Sequence, residues 1–150
     1  MVTHSRTAES LHILFKEMES SIIGLEEIIP LEQAAIGKLD TEAIHALTEK
    51  RKVLWQELKN IKEQCQLLFQ LHDVSESSEL RSFIDTHLAE DAPALQKQRQ
   101  ELNERIINIS NSNELNAIRL RAAAESIAET LQGLGLLKKN STYGQDGSIC

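Results

Sequence analysis

The stretch 44-IHALTEKRKVLWQELKNIKEQCQLLFQLH-72 decides the fold. Along it Ile44, Leu47, Arg51, Leu54, Leu58, Ile61, Cys65, Leu68 and His72 recur at alternating steps of three and four. On a helix that spacing collects them into one stripe, whereas a strand would scatter them over both faces. A stripe this narrow is a coiled-coil seam, so the helix needs a partner helix along its length. Arg51 is the odd member and must either snorkel to solvent or pair with a carboxylate across the interface. Cys65 is expected to pack as a small hydrophobe.

Upstream of that seam, Leu11, Leu14, Met18, Ile22, Leu25, Ile29 and Ile36 mark one face of a first helix beginning near Ser10. Pro30 falls inside the pattern, where it removes a backbone donor and clashes with the carbonyl four residues back. It predicts a kink or break near 26–29 and a first helix made of two collinear pieces. Gly37 reads as a C-cap and Asp40, ahead of Thr41 and Glu42, as an N-cap. So short a connection makes the two helices antiparallel neighbours.

Downstream, the Ser, Glu and Asp residues between Asp73 and Ser78 predict a loop. Leu80, Phe83, Ile84 and Leu88 then form a short amphipathic helix able to cap one end of a bundle. Asp91 as N-cap and Pro93 in the first turn start a last helix reaching Leu137. Its seam is Leu95, Leu102, Ile106, Ile109, Asn113, Asn116 or Ala117, Leu120, Ala124, Ile127, Leu131 and Leu134, with Gly133 and Gly135 fraying the end. The fold expected is all-α: an elongated antiparallel helical bundle, or coiled-coil hairpin, of three long helices and one short one. It occupies residues 1–137, and 138–150 form a flexible C-terminal tail.

Composition narrows the function. A chain of 150 residues suits one domain, and its 3% aromatic content with abundant Leu, Ala, Glu and Gln favours helices. A net charge of −7 opposes nucleic acid, whose binding needs a Lys/Arg surface. No apolar run approaches the roughly 20 residues that cross a bilayer, so stable membrane insertion is not expected. Met1 to Glu9 lacks the basic and apolar regions of a secretory signal, and Cys65 and Cys150 are isolated thiols suited to a reducing compartment. The expectation is a cytoplasmic protein. His4, His12, His45, His72 and His87 never pair at helical metal-ligand spacing, and there is no GxGxxG, P-loop or GxSxG. No metal, no cofactor and no catalytic activity are expected.

What remains is binding. Asn108, Asn111, Asn113 and Asn116 crowd the middle of the last helix, where poor helix formers predict a local bend or a specific polar contact, with Asn113 and Asn116 the candidates. Beyond them Ala117, Ala122, Ala123, Ala124 and Ala128 are small enough to let another helix approach closely. In the tail, Tyr143 is the only Tyr of the chain, set among Gly, Ser and Asn with Gly144 and Gly147 after it. An aromatic on such a segment is suited to anchoring in a second protein's pocket.

These features together resemble the FlgN family of flagellar export chaperones. The first hairpin carries an acidic-aliphatic pattern from Leu31 through Asp40, Leu47 to Lys50 and Leu58 to Leu68. Asn113-Glu114-Leu115-Asn116 is similar to the family's Asn-x-x-Asn on the last helix. Thr142 to Gly147 resembles its Tyr-Gly-x-x-Gly ending. Pro30 departs from the usual uninterrupted first helix. The resemblance implies a cytoplasmic type III flagellar secretion chaperone that binds the C-terminal amphipathic helices of the hook-filament junction proteins FlgK and FlgL and prevents their premature polymerisation. It also implies docking on the export gate protein FlhA through Tyr143, Gly144 and Gly147. Ala117, Leu120, Ala124, Ile127, Leu131 and Leu134 are the candidate cargo contacts. The competing reading puts those same residues against the first two helices, and the rival function is a generic coiled-coil structural or adaptor protein whose seams are consumed by homo-oligomers.

Overall fold

The computed structural model describes residues 2–70 and 80–136, and every regular element in them is a helix. Helix α1 spans Val2–Lys38, α2 Thr41–Gln70, α3 Leu80–His87 and α4 Ala92–Gly133. The expected loop at Asp73–Ser78 and the tail 138–150 lie outside the described residues. Three long helices and one short one are therefore present, with no strand among the described residues.

Two expectations for α1 are corrected. It begins at Val2, eight residues before the apolar pattern was read to start, with Thr7 and Ala8 buried in its second turn. It also runs unbroken through Pro30 as one helix of 37 residues. The proline removes only its own N–H from the ladder. Large buried side chains on both sides of it, Leu25, Ile28 and Ile36, hold the turns in place, so packing overrides the local cost.

The reversal also differs in detail from its sequence reading. Gly37 stays helical, and the left-handed residue is Leu39, with φ 55°. The Leu39 N–H bonds to the Ile36 carbonyl (3.1 Å) and the Asp40 N–H to the Ala35 carbonyl (2.9 Å), which together make a Schellman ending. Asp40 then caps α2, its Oδ1 accepting the Ala43 N–H at 3.1 Å. One residue thus closes one helix and opens the next.

Helix α1 is the central element. On one side it runs antiparallel to α2: Ser21 donates to Glu57 (3.1 Å), and Glu32 pairs with Arg51. Gly24 lies so near Leu54 that an added Cβ would meet its Cδ1 at 3.0 Å, so the two helices cross closely there. On the other side α1 runs parallel to α4. His12 meets Gln98 (3.0 Å), Arg105 grips Glu26 with two bonds (3.1 and 2.5 Å) and approaches Glu19 (3.7 Å), and Asn116 reaches the Ile29 carbonyl (3.2 Å). Sequence numbers rise together along this seam, whereas along the α2 seam they run opposite.

Because α1 is flanked on both sides it buries two faces, which explains why Leu14 and Phe15 are both in the core although adjacent. The core is continuous: Leu11, Phe15, Ile22 and Leu25 of α1 meet Leu58, Ile61 and Cys65 of α2, Phe83 and Ile84 of α3, and Leu95, Leu102 and Ile109 of α4. Each such side chain contributes roughly 1.5–3 kcal/mol by leaving water. Leu88, just beyond α3, joins them, so α3 closes one end of the bundle.

Candidate functional site

Helix α4 changes character along its length. Its buried residues are Leu95, Leu102, Ile109 and Asn116, spaced by seven, which is the repeat of a helix lying along a partner. Beyond Asn116 none of its described residues is buried. The next two positions of that repeat are Ala123 and Thr130, which offer too little apolar surface to continue the seam.

The start of α4 also departs from expectation in one respect. Asp91 holds the N-cap position with Pro93 in the first turn, but its side chain makes no capping hydrogen bond. Its backbone carbonyl receives the Leu95 N–H at 3.0 Å instead. At the other end Gly135 takes the left-handed conformation (φ 73°) and Leu136 N–H reaches the Leu131 carbonyl at 2.8 Å, a second Schellman ending.

Of the six candidate cargo residues, Ala117, Leu120, Ala124, Ile127 and Leu134 are exposed and Leu131 is half-buried. Leu120, Ile127 and Leu134 continue the face that α4 buries earlier against α1, and Ala117 and Ala124 lie about a quarter-turn round from it, yet α1 does not cover them. Opposite this part of α4, α1 offers little to cover them with. A Cβ added at Gly37 would meet nothing within 4 Å. Carrying the 87-residue offset of the Asn116–Ile29 contact forward puts Lys38, the last residue of α1, beside about residue 125, so the last two turns of α4 outrun the hairpin. Charges of both signs flank the face, Glu114, Arg119, Arg121, Glu125 and Glu129.

The two asparagines part company. Asn116 is fully buried, its Nδ2 donating to the Ile29 carbonyl and its Oδ1 accepting from Arg119 Nη1 at 2.9 Å. Asn113 is half-buried. Tyr143, Gly144 and Gly147 lie outside the described residues. A second apolar set on the outward side of α4 escaped the sequence reading: Ile107, Leu115 and Ile118, each about half exposed. Its signal was present, since these residues fall between the seam positions, but attention to a single stripe passes over a helix with two.

Other charged and reactive groups serve the bundle. Arg51, the misfit of the α2 seam, pairs with Glu32, which is itself buried. The Glu26 carboxylate, with Glu19 and Glu101 nearby, pushes the Arg105 guanidinium above its ordinary range against the opposing cost of burial. Lys52 holds the exposed Glu49 carboxyl below its ordinary value. Burial raises the Cys65 thiol to about 11, leaving it a poor nucleophile. Among the described residues no cluster of three or more His, Cys, Asp or Glu could hold a metal, and no helix is long and apolar enough to cross a membrane.

Among the described residues, 117–134 thus present an apolar helical face that no other element covers. No curated protein and no solved structure matches the chain. A family model described as FlgN protein matches residues 1–149. Spanning nearly the entire chain, that match establishes that the protein belongs to the FlgN family, the cytoplasmic, non-enzymatic flagellar export chaperones of the hook-associated proteins FlgK and FlgL.

Proposed function

We propose that the protein holds FlgK and FlgL on the open half of α4, with Ala117, Leu120, Ala124, Ile127, Leu131 and Leu134 meeting the apolar stripe of a cargo C-terminal helix. The observation that carries this reading is the exposure of Leu120 (38%), Ile127 (42%) and Leu134 (67%) on a face whose earlier half is buried. Alanines at 117 and 124 let the two helix axes come close, and the larger residues supply the area. A stable complex of this kind buries about 1,000 Å² or more. Cargo covered in this way cannot use the same stripe to polymerise. Asn116 is spent within the bundle, which leaves Asn113 as the polar group available at the edge of the contact.

We further propose a division of labour in which the helical part, 1–137, holds cargo and the tail, 138–150, delivers it. Tyr143 docks on the cytoplasmic domain of FlhA, together with Gly144 and Gly147 of the same segment. This part rests on the family resemblance of the segment Tyr143 to Gly147.

Co-purification with FlgK and FlgL C-terminal segments tests both halves. Leu120→Asp together with Ile127→Asp is expected to abolish cargo capture while leaving the melting temperature unchanged, since neither side chain is in the core. Undiminished capture would overturn the assignment. Deleting 138–150 is expected to leave capture intact and to lose FlhA binding, and loss of capture instead would contradict the division.

A further inference from the structure

We propose that Asn116 is a positioning residue: it locks the register in which α4 lies along α1, and so decides which residues of α4 emerge uncovered. Its bearing on cargo rests on the reading of 117–134 given above, whereas the lock itself does not.

The positions Leu95, Leu102 and Ile109 bury aliphatic side chains at intervals of seven, and the fourth in the series is an amide with no exposed surface. Aliphatic contacts are non-directional, so a parallel seam made only of Leu and Ile could slide by seven residues and bury similar area. An amide sealed from water must find hydrogen-bond partners, and a register that denies them is penalised. A buried Asn at a single seam position is the best-attested device for fixing coiled-coil register.

The two ends of the Asn116 side chain divide the task. Oδ1 is occupied by Arg119 of the same helix, a partner that travels with it in any register. Of the two, the Nδ2 bond to the Ile29 carbonyl, 3.2 Å long, is the one that crosses to α1; it joins the His12–Gln98 contact in marking the register, whereas Arg105 reaches both Glu19 and Glu26, seven residues apart. A helical carbonyl has a second lone pair free for such a bond. In a register displaced by seven residues Asn116 would leave the Ile29 carbonyl, and the His12–Gln98 contact would be lost with it.

Disulfide trapping tests the lock without any cargo. In the full chain carrying Cys150→Ser, the pair His12→Cys and Gln98→Cys reports the observed register, because those side chains touch. The pair Glu19→Cys and Gln98→Cys reports α4 displaced by seven residues. With Asn116 present, only the first pair is expected to close under mild oxidation. With Asn116→Leu, both are expected to close, although the melting temperature does not fall. If Asn116→Leu compromises folding, Asn116→Ala carries the same readout. Exclusive closure of the 12–98 pair in the substituted protein would overturn the lock. The cargo assignment fails by a different result, unchanged capture by the double aspartate variant, so the two failures are distinguishable.

Discussion

Leu39 is the residue at which local chemistry and the observed backbone are most at odds. A branched side chain occupies a left-handed conformation, which costs an L-residue roughly 1–2 kcal/mol. Nearly half of its surface is exposed, so little packing is lost by removing it. Leu39→Gly is expected to raise stability by about 1 kcal/mol, read as a higher urea midpoint with unchanged slope. The sequence reading placed the cap at Gly37 because glycine is the usual occupant. It missed by two residues because the register of the ending is set by Ala35 and Ile36, both buried in the hairpin. Cys65 gives a second residue-scale expectation. Its thiol stays protonated in the fold up to about 11, while in the unfolded chain it ionises near 9. Its contribution is therefore complete below pH 9 and is lost as pH climbs toward 11, on the order of 2 to 3 kcal/mol. Urea titrations at pH 8 and 10.5 are expected to show a larger drop for the parent than for Cys65→Ala.

Among the elements, α2 was the most legible, since a narrow repeat admits one reading and Leu58, Ile61 and Cys65 are buried as it requires. Helix α1 was less so. Its apolar residues at 14 and 15, and again at 28 and 29, form a face too broad for one partner. Periodicity gives the apolar side of a helix but not the number or direction of its neighbours, and the parallel packing of α4 on α1 stayed hidden for that reason. Pro30 read as a break because local cost was weighed without the packing that offsets it. Pro30→Ala restores a backbone donor opposite the Glu26 carbonyl and is expected to stabilise the protein by about 1 to 3 kcal/mol, seen as a higher melting temperature. The two halves of α4 are expected to respond in opposite ways. Leu102→Ala, at a buried position, should cost about 2–5 kcal/mol in stability. Ile127→Asp should leave stability alone and weaken cargo binding.

At the scale of the whole molecule, the protein is a three-helix scaffold in which one helix is longer than its support. Helices α1 and α3 pack on the first half of α4, with α2 on the far side of α1, and the second half projects an apolar face of Ala, Leu and Ile that no other element covers among the described residues. All-α architecture and the chaperone family were both legible from the seams and the Asn113 to Asn116 and Tyr143 to Gly147 motifs. The choice between core and cargo for 117–134 was not, because both uses require the same residue types. It turns on where α1 ends and on how small Ala123 and Thr130 are, which are matters of register. Hydrogen exchange of the full chain with and without a FlgK C-terminal segment addresses that choice most directly. The account expects new protection confined to 117–134 of α4, with the amides of 95–109 equally slow in both states. Protection appearing on the outer faces of α1 and α2, with 117–134 exchanging as fast as in the free protein, would contradict it.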